Sequence, residues 1–357
     1  MENTTISVIS IDEIKGGEIL AKDIFLPNGA ILMSEGAVLR PAYIERLKAM
    51  GFNKLSIVTH EISSLLDETT EKQIENQCRE TVRTTIDRYS YGLDGELVDI
   101  AKVADNIMKE VLSQPEVLYN VSKIRDKSEG SYLHSINVSA LSVLVGVKLR
   151  MQEHRLKNMA VGALLHDIGL VYVPFDLTKI DISNCDENTL KEIRKHVIYG
   201  YSAVERENWL SNTAKDIVIN HHERIDGTGY PFHLTGEKIS LESKIVALCD
   251  EFDNMVYGNY MKKHKVHETM DYLVSQAGVK FDFKVTQSFL ASVAAYPIGT
   301  IVSTNENETG VVVRQNQNIP TRPVIRIMTA APSAKYQPGM EKDLTVELTT
   351  FIKDTIS

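Results

Sequence analysis

Apolar positions recur at i, i+3 and i+4 from about Leu133 to Ala294, with Ile136, Ala140, Val143, Leu144 and Val147 on one face. That spacing predicts a helical domain, broken at Gly169, Pro174, Asp226-Gly-Thr-Gly-Tyr-Pro and Gly236. Upstream the pattern changes. Ile6-Ser-Val-Ile-Ser, Glu18-Ile-Leu-Ala and Lys54-Leu-Ser-Ile-Val read as short strands, and Pro27-Asn-Gly as a turn between Ile24-Phe and Ala30-Ile-Leu. Pro41 to Met50 has helix spacing and Gly51 stops it. Residues 61–127 are polar with apolar positions at helical intervals, which predicts linking helices. Their narrow stripe suits a homodimer seam and a solvated linker equally. After Tyr296-Pro, the segments Thr300-Ile-Val-Ser, Gly310-Val-Val-Val-Arg and Val324-Ile-Arg-Ile-Met predict strands. The expected class is mainly α. An all-helical bundle over 128–294 is joined by a small α+β unit at 1–60, linking helices at 61–127 and a small β-rich module at 295–357.

Composition narrows the function. At 357 residues the chain has room for about two to three domains, and 43% apolar with 24% charged residues is ordinary for a globular protein. A net charge of −9 argues against DNA, RNA or an anionic membrane as partner, while leaving room for a local basic pocket. Cys78, Cys185 and Cys249 form no CxxC, so disulfides and thiolate metal sites are not expected. The opening Met-Glu-Asn-Thr-Thr has no export signal, and the apolar run near Ala140 to Val147 is short of the ~20 residues of a membrane helix. The expectation is a cytoplasmic protein with no membrane insertion.

The candidate chemistry lies in the helical region. His134, His166-Asp167, His196, His221-His222 and Asp250 recur at intervals of 32, 29, 25 and 28 residues, about one helix and its connection each time. A bundle brings such positions together on its inner faces. A single histidine on an apolar helix is more often a core or surface residue, and His60, His154, His233, His264 and His267 read that way. The adjacent His166-Asp167 pair after an apolar run is different, because burying it without a metal or hydrogen-bond partner is costly. Imidazole and carboxylate without thiolate suit Fe, Mn, Co or Zn. The candidate ligands outnumber the about four that one tetrahedral ion takes, which suggests two ions with Asp167 as the bridge.

His166-Asp-Ile-Gly followed by His221-His-Glu-Arg-Ile-Asp-Gly-Thr-Gly-Tyr-Pro231 resembles the HD-GYP family, bacterial HD-superfamily phosphodiesterases that cut cyclic dinucleotides, mainly cyclic di-GMP. The resemblance covers roughly residues 125–290 and implies an HD-type bundle. It makes His134, His166, Asp167, His196, His221, His222 and Asp250 the metal ligands, with His166 and Asp167 at the catalytic centre. Two divalent ions, iron or manganese, are implied rather than three, since the family's extra Glu falls on Gly130. The implied reaction is two-metal hydrolysis of a cyclic dinucleotide to a linear dinucleotide or mononucleotides, with cyclic di-GMP and cyclic GMP-AMP both open. In the second motif, Gly227 and Gly229 permit a tight loop with positive φ and Pro231 stiffens its exit. Tyr230 can then present its ring or hydroxyl to the substrate, while Arg224 and Asp226 touch substrate or brace the loop.

The chain departs from the family pattern in two cations. Leu170 stands where the family has Lys, and Asn259 where it has the first Arg of a phosphate-holding run, with Lys262 left as one positive contact. Weakened turnover is the expectation. Two alternatives follow: a sensor that binds the ring or a signalling protein partner without turnover, and another HD-superfamily phosphohydrolase.

Overall fold

The computed structural model describes residues 4–11, 14, 20–22, 24–25, 31–33, 37, 39, 43–44, 47–48, 50, 52–60, 80–85, 97, 99–113, 130–175, 177, 180–258, 261–316 and 319–356. Its contacts divide the chain into two compact units, Met1–Gln73 with Ile327–Glu341, and Ile74–Arg326 with Lys342–Ser357.

In the first unit, β1 (Thr4–Ser10) pairs antiparallel with β4 (Lys54–His60), and β2 (Ile24–Phe25) with β3 (Ile31–Met33). Ile11, Leu20, Leu39, Ile44, Leu47, Leu55 and Ile57 form its core. The expected strand at Glu18-Ile-Leu-Ala is represented by an isolated bridge from Leu20 to Ile57. The turn at Pro27-Asn-Gly and the helix stop at Gly51 lie outside the described residues.

The second unit is the expected helical bundle. Among the described residues its helices include α1 (Asp99–Ser113), α2 (Gly130–Lys148), α3 (Glu153–Leu165), α4 (Glu187–Arg194), α5 (His196–Val204), α6 (Asn212–Asn220), α7 (Leu241–Tyr257), α8 (Val266–Ser275) and α9 (Phe283–Leu290). Helix α2 is central, packed by α1, α3, α7 and α9 and buried on nearly all sides between Leu133 and Gly146. Polar side chains fix the helix starts: Ser211 caps α6, Ser240 caps α7 and Asp282 caps α9 by accepting backbone N–H bonds. Gly258, with φ +71°, ends α7.

Helix α1 differs from the linker expectation. Ile100, Val103, Ala104, Ile107 and Met108 are buried, and the helix packs on α2 and α3. A narrow apolar stripe looks the same in sequence whether it covers a bundle or a second subunit. The other stretches of the linking region, 61–79, 86–96 and 114–129, lie outside the described residues.

The tail forms β5 (Ile301–Thr304), β6 (Thr309–Arg314), β7 (Val324–Thr329), β8 (Glu341–Asp343) and β9 (Ile352–Ile356), in the sheet order β8-β7-β6-β5-β9. No helix among the described residues is long and apolar enough to cross a membrane.

Candidate metal centre

The bundle collects the candidate ligands at helix ends. His134 lies on α2 and Asp250 on α7, but His166-Asp167 follow the last turn of α3, His196 opens α5, and His221-His222 follow α6. Helix ends let adjacent residues diverge while the helices behind them stay packed. Gly169 brings two of these ends together. A Cβ built there would lie 1.9 Å from the His196 carbonyl oxygen and 2.5 Å from the Gly200 nitrogen. Only glycine lets the Ile168–Tyr172 segment touch α5 so closely, which sets His166-Asp167 beside His196.

Two groups result, each able to hold an ion: His134, His166 and Asp250, and Asp167, His196, His221 and His222. Asp167 faces both. Its Oδ2 is 3.4 Å from His166 Nε2 and 3.7 Å from His134 Nε2, while its Oδ1 is 3.4 Å from His196 Nε2 and 3.6 Å from His221 Nε2. Asp250 Oδ1 lies 3.0 Å from His134 Nε2, and Oδ2 lies 3.8 Å from His222 Nδ1.

The backbone fixes which imidazole nitrogen turns inward. Nδ1 of His166, His196 and His221 lies 2.7, 2.8 and 3.1 Å from the carbonyls of Ala163, Ile193 and Val218. A carbonyl only accepts, so each Nδ1 carries the proton and each Nε2 points into the cluster. His134 Nδ1 is 2.7 Å from Asp253 Oδ2, so its Nε2 also faces inward. Nε2 atoms consequently oppose one another, at 3.2 Å between His134 and His166 and 3.4 Å between His196 and His221. Inward-facing ring nitrogens beside carboxylate oxygens form an arrangement that a cation, a proton or a metal ion, satisfies. Asp250 Oδ2 adds to this, being buried with no hydrogen-bond partner among the described residues. The donor set fits a divalent ion of the Fe, Mn, Co or Zn type.

The electrostatics are consistent with a cation site. Burial would lower the pKa of His134, but its hydrogen bonds to the Asp250 and Asp253 carboxylates outweigh it and hold it at about 9. Burial opposes a charge on His166 as well, and the Asp167 carboxylate overrides it and raises the pKa. At His196 burial dominates, pushing the pKa down to about 4. His222 is lowered by burial and by neighbouring His221. Asp167 and Asp250 resist the upward push of burial because the histidines favour their charged forms.

Beside the cluster, the Gly-Tyr-Pro loop places the Tyr230 ring on His222, centroids 4.7 Å apart at 22°. Burial raises the Tyr230 pKa well above its usual value, so its hydroxyl remains a donor at neutral pH. Gly227 has the expected positive φ of +79°. Gly229 departs from the expectation: it is not among the residues with positive φ, and its Cβ would lie 2.4 Å from Arg224 N and 2.5 Å from His222 O. Close contact with the backbone of 222–224, not left-handed geometry, demands glycine there. Pro231 follows Tyr230 through a cis peptide bond.

Arg224 lines the adjoining pocket but its Nη2 donates to Glu251 Oε2 at 2.9 Å, and Asp226 accepts from Thr228 N and Oγ1 at 3.0 and 2.7 Å. Both brace their surroundings. Lys262 is exposed and is not among the pocket's lining residues, Leu170 is half-buried, and Asn259 lies outside the described residues.

Sequence reasoning missed several residues here. Asp253 lies three positions after Asp250 on α7, so a second carboxylate at helical spacing on the ligand face was the available signal. Buried Glu223 accepts from the backbone N–H of Phe232 at 2.6 Å and Leu234 at 2.9 Å, tying the loop to its root. Arg194 and Lys280 line the pocket without any motif to mark them.

The HD domain family matches residues 109–285, and a KOW domain associated with HD domains matches residues 301–357. The cyclic di-GMP phosphodiesterase PA4108 of Pseudomonas aeruginosa is 30% identical over 254 residues, which cover 70% of this chain and 61% of that protein. The 3′3′-cGAMP-specific phosphodiesterase 2 of Vibrio cholerae is 26% identical over 223 residues, covering 60% of this chain and 41% of that protein. The chain thus spans less than two thirds of the length of either relative. Among solved structures, the HD-GYP protein Bd1817 of Bdellovibrio bacteriovorus shares the fold with a TM-score of 0.53, 19% identity and coverage of 80% of this chain and 98% of that one. Residues 109–285 therefore form an HD domain, and the relatives matched there are named as cyclic-dinucleotide phosphodiesterases.

Proposed function

We propose that the chain is a divalent-metal-dependent phosphodiesterase that opens a cyclic dinucleotide, with cyclic di-GMP as first candidate and 3′,3′-cyclic GMP-AMP as second. One observation carries the reading: the two oxygens of Asp167 face different histidine pairs, as a carboxylate bridging two ions does. His134, His166 and Asp250 would hold one ion and His196, His221 and His222 the other, with iron or manganese as the expected metals. Such a pair supplies a water of lowered pKa and neutralises charge on the phosphoryl oxygens.

The remaining residues orient substrate. Tyr230 keeps a protonated hydroxyl and a ring fixed against His222, Gly229 and Pro231 hold it there, and Glu223 anchors the loop exit. Arg224 and Asp226 keep the loop in shape. In this reading residues 128–294 do the chemistry, and 1–60, 61–127 and 295–357 are accessory. A sensor role, binding the ring or a signalling partner without turnover, is favoured by the apolar Leu170 three residues after Asp167.

The test uses protein purified anaerobically, with Fe and Mn counted per chain and both cyclic dinucleotides supplied. About two metals with linear product supports the enzyme. Full metal content with tight binding and no product supports the sensor instead, and Leu170→Lys would then be expected to bring turnover up.

A further inference from the structure

The pocket beside the metal centre has a charge opposite to that of the chain. The protein carries −9, yet Arg194, Arg224 and Lys280 line this pocket with Glu251 as the carboxylate among its lining residues. Glu251 is already engaged, accepting from Arg224 Nη2 at 2.9 Å and from the Tyr272 hydroxyl at 3.3 Å. Neither Arg194 nor Lys280 is in a close ion pair among the described residues, although Lys280 is near enough to Asp226 to favour its charged form.

Both cations are tied to ligand-bearing segments. Arg194 closes α4 two residues before His196, with its guanidinium carbon 5.1 Å from the Tyr230 ring centroid. The same ring stacks on His222, so the cation and the metal group contact one aromatic side chain. Lys280 arrives from after α8. Its carbonyl accepts the backbone N–H of Ile225 at 3.0 Å, which fixes that segment against the strand of chain leaving His221-His222.

A guanidinium offers paired donors to two oxygens of one phosphate, and an ammonium adds a point charge. A cyclic dinucleotide carries two phosphodiesters, and only one can sit at the metals during a cut. We infer that Arg194 and Lys280 form an anion subsite for the phosphodiester of the ring that is not being cleaved. This inference rests on the cyclic-dinucleotide reading above. It also places positive charge at the site by residues other than those replaced by Leu170 and Asn259.

The experiment compares native protein with Arg194→Gln, Arg194→Lys, Lys280→Gln and the double Gln variant, measuring kcat, KM and bound metal with cyclic di-GMP. Each Gln variant should raise KM about tenfold, the loss of one charge-assisted hydrogen bond, with kcat changed less and metal content retained. Arg194→Lys should recover part of the affinity. An unchanged KM in the double variant overturns the subsite, and so does a fall in kcat and metal content at constant KM. Where native protein binds cyclic di-GMP without turnover, calorimetry replaces kinetics. Weaker binding by the variants then supports the subsite while the hydrolytic reading fails. Absence of binding by native protein overturns both.

Discussion

His134 and Asp253, 119 positions apart in the chain, meet through a 2.7 Å contact between Nδ1 and Oδ2 in the buried centre of the bundle. Asn137 Nδ2 donates to the other oxygen of Asp253 at 3.1 Å, so the carboxylate is held from α2 while it holds His134. A carboxylate behind a metal-facing imidazole fixes its ring and raises its basicity. Asp253→Ala should leave the bundle folded and weaken metal binding by about 10–100-fold. A chelator competition titration measures this, and native-like affinity in the variant would remove Asp253 from the metal centre.

Asp167→Ala addresses the bridge itself. It removes both oxygens that join the two histidine pairs, leaving opposed Nε2 atoms without a shared anion. Metal per chain and linear product should both be lost. Full activity in this variant would sink the two-ion arrangement, while loss of one ion with activity retained would reduce the centre to a single metal.

The bundle, and the convergence of the candidate ligands within it, were legible because both are periodic. Apolar spacing marks the helices, and one ligand group per helix and connection follows from how a bundle converges. Helix α1 was misjudged because its stripe of Ile100, Val103 and Ile107 does not say what covers it. Gly229 permits positive φ in sequence terms, but what makes glycine necessary is the backbone of 222–224 pressed against it, which no local pattern shows. Lys280 could not be found at all: it reaches the pocket through a backbone hydrogen bond to Ile225, which no pattern encodes.

Gly169→Ala tests the contact that aligns the two ligand-bearing ends. The added methyl would sit 1.9 Å from the His196 carbonyl oxygen, a backbone atom that cannot step aside without moving a candidate ligand. The cost should lie at the upper end of the about 1–3 kcal/mol seen for overpacked sites. Urea denaturation gives the stability change and metal analysis the displacement of His196. Native stability with native metal content would mean that α5 tolerates a shift here.

Glu223→Ala tests the loop separately from the metals. The buried carboxylate is the acceptor for the N–H groups of Phe232 and Leu234, and its removal leaves both without that partner. Hydrogen bonds to a charged group are worth about 1.5–3 kcal/mol, enough for their loss to release the loop from its root without unfolding a bundle packed elsewhere. Tyr230 is two residues before Phe232, so its stacking on His222 should loosen. The expected result is a drop in kcat/KM of about tenfold or more with metal content unchanged, since Glu223 is in neither of the two groups that could hold an ion. Glu223→Gln, which keeps one acceptor oxygen, should fall between the two. Equal loss of metal and activity in Glu223→Ala would instead mean that the loop is part of what holds His221 and His222 in place.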